Sequence, residues 1–327
     1  MKNIVRSLLN IALLSSTSLL ILSSIAQAEI LDTSSPSMSI AFKNPYPQKG
    51  LWVVRKTQWD ASDELGYQNF IVKMAKTRCN SVDACLKDPV ANPYYNAAEE
   101  SHVFYYADCG RFPYLLRMYY AWKNGLPFTA VTGKSGTPED VEEWRQAQIA
   151  NGNLKPSIWD FNLANRKHGV IMKNSVTIPS ASAKSYNFFT QARTIITYVN
   201  SANYRFDATL EMPSMPDFYP VKLSRETIVP GTVIYDPSGH VAVVYEVTAT
   251  GDIRYFDSHP DNGVTRKMYN KAFGRSRPAH GAGFKNFRPF TISPSKWNGS
   301  GIAAGTLVNT PNENISGFSL RSEEHTS

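Results

Sequence analysis

The chain has 327 residues, 42% hydrophobic and 19% charged, with 20 Pro, 19 Gly and three Cys. That composition excludes intrinsic disorder, a collagen-like repeat and a disulfide-dense miniprotein, and the length allows one large domain or two small ones around a substantial core. The formal charge of +7 comes from Lys and Arg that are scattered rather than blocked, which gives no nucleic-acid arm and points to a solvated basic surface.

At the N-terminus, Lys2 and Arg6 precede an apolar run from Leu8 to Ile25 that ends in Ala26-Gln27-Ala28. A basic start, a hydrophobic middle and small residues at the end are the layout of a cleavable secretory signal. Residues 1–28 are therefore expected to be a leader, with the mature chain beginning near Glu29 in a periplasmic or extracellular setting. No Cys follows the cleavage site, so no lipid anchor is expected, nor any stable membrane span after cleavage.

Cys79 and Cys85 lie in Arg78-Cys-Asn-Ser-Val-Asp-Ala-Cys-Leu86, close enough to close a small disulfide loop in an oxidising compartment. That pairing leaves Cys109 as an odd thiol in an exported chain, which marks it as a candidate nucleophile. It stands at the head of a segment ending in Gly125 that reads as a helix entered at Asp108 or Cys109, with Asp108 as N-cap, Pro113 in the first turn and Gly125 as the C-terminal stop. Phe112, Leu115, Leu116, Tyr119 and Trp122 recur at helical spacing as a buried stripe. A helix N-terminus favours a thiolate and offers free backbone N–H groups to a developing oxyanion, both of which acyl transfer needs.

Further along, Thr137-Pro138-Glu-Asp caps a helix running to about Ile149, and a second helix from about Ser185 to Ser201 buries Phe188, Ala192, Ile195, Ile196 and Val199. Residues Pro230 to Val247 read as a strand, a turn at Asp236 to Gly239 and a second strand that begins at His240. Residues Asp252 to His259 return as a third strand of an antiparallel meander. His240, Ala242, Val244 and Glu246 share one strand face, and Ile253, Tyr255, Asp257 and His259 share one face of the next. A base at His240 would then lie level with Asp257 or His259, either of which could orient the imidazole. Of the other His, His102, His168 and His280 lie in segments without a strand pattern, and His325 falls in the terminal tail.

These residues carry a resemblance. Cys109-x-x-Phe-x-x-Leu-Leu-Arg117 with Gly125-Leu-Pro-Phe-x-x-Val-x-Gly133 resembles the nucleophile helix and following strand of the transglutaminase-like superfamily. His240-Val-Ala-Val-Val-Tyr-Glu-Val247 with Gly251-x-Ile-x-Tyr-Phe-Asp257 is similar to its His strand and Asp strand. Asp108-Cys109 and Pro230-Gly231 are also similar to NlpC/P60 and CHAP peptidoglycan hydrolases, in which the third polar residue is often a His, a place His259 could fill. The resemblance implies an α+β papain-like core, its nucleophile at the N-terminus of a helix packed on an antiparallel sheet, with a triad of Cys109, His240 and Asp257. It covers two short blocks, and the long Cys-to-His separation, unaccompanied by the local papain signature, implies a partly helical insertion over about 134–229. The catalytic domain is placed at 29–292.

The activity so implied is thiol hydrolysis of peptide or amide bonds, with cell-wall peptides as a substrate class, or transfer of the acyl group to an amine as in transglutaminases. An inactive papain-like binding module is the third reading. No HExxH, phosphate loop, GxGxxG or zinc-spaced Cys/His pair occurs, so no metal or other cofactor is expected. The Gly-rich basic stretch from Phe273 to Pro289 is expected to bind an acidic or amide substrate or to wrap the sheet edge. Residues 293–320 read as a Gly, Ser and Asn-rich linker, and Arg321-Ser-Glu-Glu-His-Thr-Ser327 resembles the in-frame translation of a sequencing-library adapter, which would make the gene truncated.

Overall fold

The computed structural model describes residues 50–96, 103–155, 170–206, 215–236, 238–271, 273 and 281–320. The expected leader and tail and His102, His168, His280 and His325 lie outside the described residues. The described chain is α+β with antiparallel sheets, and none of its helices is long and apolar enough to cross a membrane.

A short strand β1 (Leu51–Trp52) leads to helix α1 (Ala61–Lys76), which starts in a capping box formed by Asp60 and Asp63. Helix α2 (Val82–Lys87) begins inside the loop closed by the Cys79–Cys85 disulfide and carries Cys85 itself. Helix α3 (Phe112–Asn124) is buried along its whole length from Phe112 to Trp122 and ends at Gly125, whose φ of 64° is the left-handed conformation that glycine adopts without strain. The sequence expects this helix to begin at Asp108 or Cys109. It begins at Phe112, because hydrogen bonds from Arg111 and Phe112 N–H back to the Asp108 carbonyl close a separate turn first.

Strand β2 (Phe128–Gly136), helix α4 (Pro138–Ala150) and strand β3 (Val170–Ile178) come next, with β2 and β3 paired antiparallel. Thr137 caps α4 as expected, accepting from Asp140 N–H. Strand β4 (Tyr186–Asn187) pairs with β1 and runs into α5 (Phe188–Tyr198), where Asn187 supplies the cap and places the helix start a few residues later than the sequence suggests. The expected insertion boundary at Lys134 therefore cuts through β2. The strand continues to Gly136 and pairs with a strand inside the supposed insertion, so the segment is built into the body rather than attached to it.

The main sheet collects β5 (Phe218–Pro220), β6 (Val233–Tyr235), β7 (Val241–Val247), β8 (Ile253–Ser258), β9 (Val264–Met268) and β10 (Gly283–Phe287) in the order β5-β10-β6-β7-β8-β9. Side-chain alternation divides it cleanly. Val241, Val243 and Phe256 face the core shared with α1 and α3, where Phe112 meets Phe256 edge to face at 5.1 Å, while Ala242, Val244 and Tyr255 fill a second cluster on the far side. Part of the stretch expected to wrap the sheet edge is β10, which lies inside the sheet between β5 and β6.

The expected linker is also corrected. Strands β11 (Phe290–Trp297) and β12 (Ile302–Asn309) form an antiparallel hairpin, and Ile292 and Ile302 join the main core. Ile302 N–H donates to Val54 O (2.7 Å) and Ile292 N–H to Thr57 O (2.8 Å), so backbone pairing holds a polar, Gly-containing sequence that composition alone reads as a spacer.

Asp217, just before β5, ties the helix to the sheets. It is buried and accepts from Tyr114 Oη on α3 (2.6 Å) and Val131 N–H on β2 (2.8 Å). Burial pushes its carboxyl up to about 6 against the pull of those bonds. Its contribution to stability is thus full below the ordinary value of 3.8 and lost as pH rises through about 6. The stability of the wild type relative to Asp217→Asn, measured by urea denaturation, should therefore decline between about pH 4 and pH 7. Ile302→Ala should lower unfolding stability by about 2 to 5 kcal/mol in a single transition; a negligible loss would mean the hairpin is not part of the folded body.

Candidate active site

The turn ahead of α3 carries the thiol. The Asp108 carbonyl accepts from Arg111 N–H (3.1 Å) and Phe112 N–H (2.9 Å), its Oδ1 accepts from Arg111 N–H (3.0 Å), and its carboxylate pairs with the Arg111 guanidinium. Cys109 sits in this turn, half-buried and free of any disulfide, with Sγ 3.9 Å from Gly239 O. Among the described residues, the Cys109 and Gly110 N–H groups have no backbone acceptor, so both remain available at the turn.

Gly110 is required by crowding. A Cβ there would stand 2.6 Å from Ser201 N and 2.9 Å from the Asn200 carbonyl carbon, and Gly110 O accepts from Tyr204 Oη (2.9 Å). Arg111 Nε donates to Ile196 O (2.8 Å) at the end of α5. The region expected as an insertion thus forms a wall of the site through the 3-10 turn Ser201–Tyr204. The Ser201 hydroxyl also stands 3.7 Å from where a Cβ on Gly239 would lie.

His240 enters from the opposite side. The turn Asp236 to His240 closes with Asp236 N–H to His240 O (2.9 Å) and Gly239 N–H to Asp236 O (2.8 Å), and Gly239 takes a φ of 104° that favours glycine. Immediately before β7, His240 Nε2 lies 2.8 Å from Asp257 Oδ2. With Nε2 so engaged, Nδ1 is the ring nitrogen left for the Cys109 thiol, whose Sγ lies 3.9 Å from the carbonyl of the preceding Gly239. The Asp257 hydrogen bond, with the neighbouring Cys109 adding to it, raises the His240 pKa to about 9 against partial desolvation, so the ring is cationic at neutral pH.

Asp257 has no exposed side-chain surface. Burial opposes its charge, yet the hydrogen bonds from His240 and Thr265 and the Lys267 ammonium 3.6 Å away hold the carboxyl below its ordinary range. The β8–β9 register explains the gathering, since it pairs Asp257 with Thr265 and Tyr255 with Lys267. His259, the alternative third member, does not reach His240 by hydrogen bond. Its Nε2 lies 3.2 Å from Thr265 Oγ1 and 3.5 Å from Asp257 Oδ1, and its ring stacks beside that of His240 at 6.1 Å.

The hairpin bearing Asp257 also holds the thiol segment. Asn262, at a φ of 69°, donates through Nδ2 to Tyr105 O (3.0 Å) and accepts at Oδ1 from Ala107 N–H (3.3 Å), while Tyr106 Oη donates to Pro260 O (2.8 Å). The disulfide loop braces the same corner through Val264 N–H to Asn80 O (2.9 Å) and Tyr105 N–H to Asp83 Oδ1 (2.8 Å). Thr265, Asn262 and Ser201 are not singled out by the sequence reading. For the first two a signal existed: Asp261-Asn262-Gly263 between strand-like runs is a strong hairpin marker. Ser201 carries no such mark, because its place depends on a contact across the chain. No group of three or more potential metal-ligating side chains occurs among the described residues.

Gly110→Ala should lower stability by about 1 to 3 kcal/mol in urea denaturation, because its Cβ meets backbone that cannot step aside. Comparison with protein-family models, curated proteins and solved structures found no match to this chain.

Proposed function

We propose that the chain is an exported thiol hydrolase that cleaves peptide or amide bonds through Cys109, His240 and Asp257. The observation that carries this reading is the single imidazole that hydrogen-bonds a buried carboxylate and follows directly on Gly239, whose carbonyl lies 3.9 Å from the half-buried Cys109 thiol. The setting supports a papain-like reading of the α+β fold: the thiol precedes a core helix, and that helix packs on the sheet whose adjacent strands bear the His and the Asp. The disulfide agrees with an oxidising compartment, as the expected leader does. Cell-wall peptides are the substrate class that suits such a compartment.

In the proposed cycle the Cys109 thiolate attacks the carbonyl carbon, an S–C bond forms, and the carbonyl π electrons move to oxygen. The Cys109 and Gly110 N–H groups, which have no backbone acceptor among the described residues, are the donors offered to that oxyanion in this reading. The intermediate collapses as His240 Nδ1 gives its proton to the departing amine, which leaves a thioester. Neutral His240 then takes a proton from water, the resulting hydroxide attacks the thioester, and Cys109 leaves as thiolate with the acid product. Asp257 stays ionised throughout and holds the Nε2–H. An amine in place of water gives transamidation through the same steps.

p-Nitrophenyl acetate tests the chemistry without knowledge of the natural substrate. The wild type should release a stoichiometric burst of p-nitrophenolate, and Cys109→Ala should lose the burst while melting at nearly the same temperature. A burst retained in that variant removes the nucleophile assignment. Asp257→Asn should slow acylation by orders of magnitude and His259→Asn only mildly; the reverse order would make His259 the third member. Iodoacetamide should alkylate wild-type Cys109 at about pH 6, where an ordinary thiol reacts negligibly, and His240→Ala should abolish that acid-side reactivity.

A further inference from the structure

We propose that Thr265 is a positioning residue for this site, locking the Asp257 carboxylate so that one oxygen serves His240 while His259 closes the far side of the lock. The inference rests on the Cys-His-Asp reading only for its consequence in catalysis; the geometry stands by itself.

An ionised carboxylate only accepts hydrogen bonds, so the contact between Thr265 Oγ1 and Asp257 Oδ1 has the Thr hydroxyl as donor. The single Thr265 proton is thereby committed, and the oxygen that carries it can only accept from His259 Nε2, 3.2 Å away. His259 must then carry its proton on Nε2. Three groups thus form a directed chain, His259 Nε2–H to Thr265 Oγ1–H to Asp257 Oδ1, while Asp257 Oδ2 receives the Nε2–H of His240 at 2.8 Å. His259 is spent on Thr265, which explains why a second His beside the site is not the orienter.

The need for a lock comes from the competitors. Lys267 Nζ stands 3.6 Å from Asp257 Oδ2, His259 Nε2 stands 3.5 Å from Oδ1, and both are half-exposed and able to follow the carboxylate if it rotates about Cβ–Cγ. The other groups that bear on this centre are Cys109, whose Sγ lies 3.9 Å from the Gly239 carbonyl just before His240, the Phe273 ring 6.3 Å from the imidazole, and Tyr255 on the Asp257 strand. Of all these, only Thr265 sits directly opposite Asp257 in the strand pairing, where the backbone fixes its distance. Its β-branched side chain has restricted χ1, so the hydroxyl is aimed by the strand itself.

The test is the titration of the His240 ring by NMR in the full chain, assigned with His240→Asn, for the wild type, Thr265→Val and Thr265→Ser. Val preserves the shape and strand preference of Thr but has no proton to donate. The carboxylate should then turn toward Lys267 and His259, and the His240 midpoint should fall by about one pH unit, the size expected when one hydrogen bond to a charged group is misdirected. Thr265→Ser should restore the wild-type midpoint. An unchanged midpoint in Thr265→Val overturns the inference, and so does a rise, which would mean that Thr265 merely drains basicity from a carboxylate that needs no positioning. If Thr265→Val does not fold, failure of Thr265→Ser to match the wild-type midpoint overturns it equally. Because the readout needs no turnover, loss of the p-nitrophenyl acetate burst assignment leaves this result standing, and the two failures are told apart.

Discussion

Asp257 is an ionised carboxylate with no exposed side-chain surface, and a buried charge is tolerated only where its lone pairs are filled. That requirement organises the surrounding structure. His240 and Thr265 take one oxygen each, and Lys267 adds charge from the sheet margin. The β8–β9 pairing that brings Thr265 and Lys267 to this spot is closed by the 259–263 turn, and that turn reaches across to hold residues 105–107, which lead straight into Cys109. One constraint therefore links the groups at both ends of the imidazole.

The thiol turn is pressed from the other direction by the chain between β2 and β5. Gly110 admits the backbone of residues 200–201 at a distance no side chain permits, and the Tyr204 hydroxyl and Arg111 guanidinium bind the two layers together. A segment that looks like an optional insertion is thus a wall of the site. Its removal would expose Gly110 and leave the buried Arg111 with a lost acceptor. Asp217 does similar work deeper in the molecule, joining Tyr114 of α3 to β2 through one carboxylate. Buried acids thus tie layers together at two places, and the two have opposite proton affinities. Asp257 is surrounded by donors and cations and stays charged, whereas desolvation prevails at Asp217.

Aromatic packing provides the rigid base. Around α3, Trp122 stacks on Phe188 at 4.2 Å and Phe70 on Tyr119 at 6.2 Å, so α1, α3 and α5 share rings rather than merely touching. Arg117 is buried in this layer with its guanidinium 3.3 Å over the Trp59 ring and its two terminal nitrogens on the Glu64 carboxylate. A helix held this firmly gives the preceding turn, and Cys109 in it, a fixed position.

The local parts of the site were legible in the residues alone. The odd Cys at the head of an apolar helix, the stop at Gly125, the Thr137 cap, and the alternation that sets His240 and Asp257 on facing strands all follow from short-range rules of spacing and capping. These rules act within a few residues, so the linear chain displays them. What the sequence could not display is which distant segments press on that framework. Strand β10 enters the middle of the sheet, the 290–309 hairpin docks through backbone bonds to residues 54 and 57, and Ser201 comes to rest against Gly110; none of these leaves a mark in local hydropathy. The sequence favours Asp257 over His259, but strand alternation does not separate the two, since both share a strand face. Tertiary structure decided the contacts by placing Thr265 opposite Asp257, so that His259 is hydrogen-bonded to the hydroxyl and the buried carboxylate alone reaches His240.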